Sequence, residues 1–134
     1  MGGELMSPET VPNAERRIKS GAGWRIGWDP QGELYPGLVG GDDWAIELTE
    51  GELNDFCRLL GQLATTMTQM ASELMDSERI TCEAESDILW MEVEGYPHAY
   101  LLHVILSTGR RCEFSWPASA VPGLVEAARV LKIF

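Results

Sequence analysis

The chain carries 21 Asp and Glu residues against 10 Lys and Arg. Four glutamates recur at alternate positions: Glu83 and Glu85, then Glu92 and Glu94. In an extended strand alternate residues share a face. Trp90 stands in phase with Glu92 and Glu94, and Arg111, Glu113 and Ser115 continue the pattern on a third segment. If those segments pair in register, one sheet face gathers Glu83, Glu85, Trp90, Glu92, Glu94, Arg111 and Glu113. Solvation is the ordinary fate of such glutamates. The sharper readings are a docking surface for a basic protein partner and a site for a hard divalent cation, which wants clustered carboxylates. Trp90 is the residue that solvation does not explain. A large aromatic among glutamates needs a cover, supplied by the N-terminal segment, a second subunit or a partner. These seven residues are the candidate interaction surface.

Other groups with chemical potential are weaker. Asp42 and Asp43 follow a glycine pair, where a turn leading into a strand is the commoner use. His98 falls in a turn beside Pro97 and His103 on a strand, and no Ser or Cys is spaced to complete a triad with either. Arg110 and Arg111 can meet a phosphate, but pairing with neighbouring carboxylates is the commoner fate. Phosphate-loop and dinucleotide fingerprints are absent from the sequence. Cys57, Cys82 and Cys112 are odd in number and lack a CxxC spacing, which argues against a disulfide framework or a zinc site. No catalytic residue, metal ligand or cofactor site is assigned, and no cofactor is expected.

The elements that must position these groups are legible from period and punctuation. Residues 1–20 are polar, broken by Pro8 and Pro12, and read as a flexible tail preceding one domain over residues 21–134. Trp24, Ile26 and Trp28 alternate as a strand, and Trp44, Ile46 and Leu48 repeat the pattern. Residues 34–39 form an edge strand interrupted by Pro36 and Gly37. Thr49 and Glu52 make a capping box. Behind it Leu53, Phe56, Leu60, Leu63, Met67, Met70 and Leu74 form the apolar row of a helix of about seven turns. A small row, Cys57, Ala64 and Ala71, repeats every seven residues, so the helix suits its own sheet or a seam between two subunits. Four strands follow with short turns: residues 79–85, 89–94, 100–106 and 110–116. Ser119 is placed to cap a last helix with Pro122 in its first turn and Val121, Leu124, Val125, Ala128 and Leu131 on its apolar face. Trp24, Trp28, Trp44 and Trp116 fall on apolar strand faces, as core residues. The fold class is α+β, with antiparallel sheets in a strands–helix–strands–helix order.

A length of 134 residues suits one domain, and a 45% apolar content supports a core. The net charge of −11 repels polyanions, and nucleic-acid affinity rests mainly on Lys and Arg. No signal peptide or bilayer-length apolar run is apparent, so a cytoplasmic location without membrane attachment is expected.

Three runs carry a resemblance. They are Gly23-Trp24-Arg25-Ile26-Gly27-Trp28-Asp29-Pro30, Leu38-Val39-Gly40-Gly41-Asp42-Asp43-Trp44-Ala45-Ile46-Glu47-Leu48-Thr49, and Cys82-Glu83-Ala84-Glu85-Ser86-Asp87 with Leu89-Trp90-Met91-Glu92-Val93-Glu94-Gly95-Tyr96-Pro97. From Gly21 onward the chain resembles a small cyanobacterial family, domain of unknown function 1818. The resemblance implies a fold similar to the single-stranded-DNA-binding transcriptional regulators, with the Whirly proteins nearest in element order. It implies no established activity. The Lys-Gly-Lys-Ala-Ala-Leu-like strand motif of Whirly proteins has no counterpart here, so no binding residue carries over.

The expected function is that of a non-enzymatic binding or adaptor module acting through its acidic sheet face, with a protein partner or a second copy in a homodimer. One alternative is a single-stranded nucleic-acid-binding regulator, as the resemblance implies, although single-strand binders need a positive groove. The other is a carboxylate-based metal-binding protein or enzyme.

Overall fold

Alternation becomes two four-stranded antiparallel sheets, each followed by a helix. The computed structural model describes residues 16–73 and 78–131. The first sheet runs β1 (Arg17–Gly21), β2 (Trp24–Trp28), β3 (Gly37–Gly40) and β4 (Ala45–Leu48), then α1 (Glu50–Ala71). The second runs β5 (Ile80–Glu85), β6 (Leu89–Tyr96), β7 (Ala99–Leu106) and β8 (Glu113–Trp116), then α2 (Val121–Val130). In each sheet neighbours in sequence are neighbours in space. The α+β class and its strands–helix–strands–helix order are as the sequence implies.

Several boundaries differ from expectation. The segment expected as an edge strand over residues 34–39 is instead an inner strand that starts only after Pro36, at Gly37, and pairs with both β2 and β4. β1 begins at Arg17, inside the segment read as a tail, and pairs along its whole length with β2 from Arg17↔Trp28 to Gly21↔Trp24. An edge strand has one neighbour and tolerates charge, so Arg17, Lys19 and Ser20 give no strand period. The rest of the expected tail, residues 1–15, lies outside the described residues. At the other end β8 starts at Glu113, not at Arg110. The amide of Arg111 donates to Thr108 O at 3.0 Å, closing a turn. Arg111 itself has φ 45°, a left-handed conformation that ends an extended run.

Thr49 and Glu52 form the expected capping box. Thr49 Oγ1 accepts from the Glu52 amide at 3.1 Å, and Glu52 Oε1 accepts from the Thr49 amide at 2.8 Å. The helix has 22 residues, about six turns, and Leu74 lies outside the described residues. Leu53, Phe56, Leu60, Leu63 and Met67 are buried as read, joined by Leu59. Thr66 and Thr68 bond back to the carbonyls of Gln62 and Ala64, both at 3.0 Å, a local bond that slightly weakens a helix, so packing must hold this stretch. α1 touches strands of both sheets and α2, so its apolar row is used within the chain. The last helix departs from the reading at its start. Ala120, not Ser119, is its N-cap, without a side-chain bond. The preceding turn supplies the bonds instead, from Ala120 N to Pro117 O and from Val121 N to Ala118 O.

Buried apolar side chains from both sheets and both helices form a continuous core. Trp116 joins the halves. Its ring meets Phe56 at 5.7 Å and Trp44 at 5.2 Å between centroids, and its Nε1 donates to Gly40 O at 2.9 Å. That bond satisfies a polar group which burial would otherwise penalise. Trp24 is half-buried, and a Cβ on Gly123 would lie 2.4 Å from its Nε1, so α2 approaches β2 only because that position is glycine.

The acidic sheet face as candidate functional site

The second sheet turns Leu89, Met91, Val93, Leu102, Val104 and Leu106 into the core. The alternate residues therefore face out. Register aligns them in three rows. One row reads Glu83, Glu92, His103 and Ser115, the next reads Glu85, Trp90, Ile105 and Glu113, and the third reads Thr81, Glu94 and Leu101. Glu83, Glu85 and Glu113 are exposed, while Trp90, Glu92 and Glu94 are half-buried. Of the seven expected residues, six share this face. Arg111 does not belong to it by strand register, because its left-handed backbone places it in the β7–β8 loop.

Trp90 is held rather than simply exposed. Its Nε1 donates to Glu83 Oε1 at 3.0 Å. Its ring meets His103 edge-on, with centroids 5.6 Å apart and planes at 88°. His103 Nε2 in turn lies 2.5 Å from Glu113 Oε2. Glu83, Trp90, His103 and Glu113 thus form a belt crossing all four strands. His103 is a member of the surface that the glutamate pattern does not pick out, although its alternation with Leu102 and Val104 signals an outward position. Its contact with Trp90 depends on the pairing of β6 with β7, which alternation alone does not specify.

The charges on this face are incompletely paired. Arg79 Nη2 lies 3.1 Å from Glu94 Oε2. Glu83 and Glu92 stand directly opposite each other across β5 and β6, an arrangement that destabilises a sheet. Among the described residues, Glu85 and Glu92 make no ion pair. A face of this kind presents carboxylates beside a fixed indole, and so suits cationic groups. No group of three or more His, Cys, Asp and Glu is placed to hold a metal ion among the described residues.

Of the remaining expected groups, Asp42 and Arg110 have structural partners. Asp42 Oδ1 accepts from the Gly23 amide at 3.1 Å. Arg110 reaches a carboxylate distant in sequence: its Nη2 donates to Glu52 Oε1 at 2.5 Å. Its Nη1 donates to Glu47 O at 2.6 Å, and its guanidinium lies 4.8 Å from the Tyr35 ring centroid. None of the three cysteines forms a disulfide. Burial pushes the Cys112 thiol above its ordinary pKa, so it is a poorer nucleophile at neutral pH. Among the described residues no helix is long and apolar enough to cross a membrane.

No curated protein matches the chain. Among solved structures, it is similar to a protein of unknown function from Prochlorococcus sp. NATL2A, a cyanobacterium, described as from the DUF155 family. The identity is 30% and the TM-score 0.82, over 87% of this chain and 98% of that one. A family model described as "Domain of unknown function (DUF1818)" matches residues 19–131. With most of its length covered, strands and helices alike, the chain belongs to this DUF1818 family.

Proposed function

We propose that the protein is a non-enzymatic docking module whose outer β5–β8 face binds a basic segment of a partner protein. The observation that carries this reading is the opposed pair Glu83 and Glu92, which among the described residues make no ion pair, beside the pinned ring of Trp90. A lysine or arginine arriving there relieves the repulsion of two like charges. It also finds an indole, the best aromatic partner for a cation. The overall charge of −11 attracts such a segment from a distance.

The test uses a fluorescein-labelled octa-arginine peptide followed by anisotropy, with Trp90→Ala and Glu92→Gln as variants. Saturable binding that each variant weakens about tenfold, and that declines with added salt, supports the reading. Equal binding by both variants and the parent would remove the face from consideration. Labelled oligo-dT of matching length serves as a competing probe. Tight binding of that strand with none of the peptide would favour the nucleic-acid alternative. Calcium and magnesium titrations, followed by Trp fluorescence, test the carboxylate-metal alternative in the same way.

A further inference from the structure

A concavity lies away from the acidic face, where α1, α2 and the β6–β7 turn converge. Its volume is about 260 Å³, just below the roughly 300–1,000 Å³ of pockets for drug-sized ligands, so it suits a smaller molecule. Its apolar wall comes from Ala64 of α1 and Val121 and Val125 of α2. Its polar lining includes Tyr100 of β7 and, near the end of α2, the carboxylate of Glu126 and the guanidinium of Arg129. This combination of apolar lining and a few convergent polar groups characterises small-molecule sites.

Tyr100 and Arg129 are available for recognition. Tyr100 is half-buried, and burial raises the pKa of its phenol, which keeps it protonated as a donor at neutral pH. Arg129 pairs with Glu126 at 3.1 Å, with side-chain exposures of 49% and 73%. An exposed pair three residues apart on one helix is weak and easily exchanged. A carboxylate entering the cavity can therefore draw Arg129 inward and gain a charge-assisted bond.

We propose that this cavity is a binding site for a small apolar monocarboxylate, with its apolar body against Ala64, Val121 and Val125 and the carboxylate on Arg129 and Tyr100. The site is separate from the acidic sheet face, and its occupancy does not depend on the docking reading.

Phenylacetate is the probe, titrated into ¹⁵N-labelled full-length protein and followed by amide shifts. The expected result is saturable shifts at 98–100 and 121–129. Phenylacetamide, of similar shape but uncharged, binds at least about tenfold more weakly, a difference of about 1.4 kcal/mol. Arg129→Gln weakens phenylacetate by a similar factor, and Glu126→Gln, which frees Arg129, strengthens it severalfold. Both substitutions lie on the exposed side of α2 and leave the core untouched. The proposal is overturned if shifts fail to saturate at millimolar probe or map elsewhere. It is overturned equally if the amide binds as well as the acid, or if the two variants fail to move affinity in opposite directions.

Discussion

Arg110 Nη2 lies 2.5 Å from Glu52 Oε1, although the two residues are 58 positions apart in sequence. The Glu52 side chain is only 4% exposed and Arg110 is 33% exposed. Glu52 also accepts from the Thr49 amide and from Thr108 Oγ1, so one carboxylate caps α1 and fastens the β7–β8 loop to it. Removing one member of a buried pair leaves the other charge without compensation. Arg110→Ala is expected to lower stability by about 2–3 kcal/mol, less than a fully buried pair because water reaches the guanidinium. Urea unfolding of Arg110→Ala, Glu52→Gln and the double variant measures this. A double variant equal to the sum of the singles would mean that the two groups are not coupled.

The opposed glutamates yield an effect of the other sign. Glu92→Thr removes a like-charge pair and places a strand-favouring residue opposite Glu83. Stability is expected to rise by about 0.2–1 kcal/mol. The gain should shrink in 1 M salt, where the Debye length falls to about 3 Å. Octa-arginine binding should weaken in the same variant. A loss of stability at low salt would show that the Glu83–Glu92 repulsion is already relieved within the chain.

Gly95 lies within β6 at φ 146°, and a Cβ there would sit 2.6 Å from Ala99 O and 2.8 Å from Tyr100 Cα. Neither backbone atom can move without disturbing the β6–β7 ladder. Gly95→Ala should cost about 2–3 kcal/mol from strain and overlap together. Thermal unfolding by circular dichroism reads the loss. A melting temperature within about a degree of the parent would contradict the close approach.

Burial raises the Tyr100 phenol above its ordinary value of 10.0. The unfolded chain therefore releases this proton at lower pH than the folded one. The stabilisation is fully present below about pH 10 and is lost as pH rises through the folded value. Tyr100→Phe should flatten the fall in stability above about pH 10, as measured by urea midpoints across that range. Cys112, also raised by burial, acts in the same direction from its lower ordinary value, so Cys112→Ser serves as the companion variant. Indistinguishable pH profiles for parent and Tyr100→Phe would rule out a contribution from the phenol.

Period and punctuation make most of the elements legible in the sequence, because both are local properties. Leu89, Met91 and Val93 alternate within a few residues of one another, and that alternation alone places Trp90, Glu92 and Glu94 on the opposite face. Thr49 and Glu52 mark the start of α1 by direct contact across three positions. β1 escapes such a reading because its one strand partner is β2 and its charged residues, Arg17 and Lys19, fall in phase with Trp28 and Ile26, where an apolar period would be sought. Arg111 escapes it because a single left-handed residue has no periodic signature.

Which faces and loops meet is a matter of tertiary contact. Nothing in the composition of residues 79–116 sets Glu83 opposite Glu92 or lays Trp90 against His103. Turn length and strand pairing do that, through hydrogen bonds made across the sheet. Nothing near Glu52 announces Arg110, since the packing of the β7–β8 loop against α1 and β4 brings it there. The residues in their order are enough to establish an acidic α+β chain with glutamates and a tryptophan in phase along its strands. It takes the folded sheets to settle which of those groups stand together, because alternation is local to a strand whereas register and packing belong to the whole.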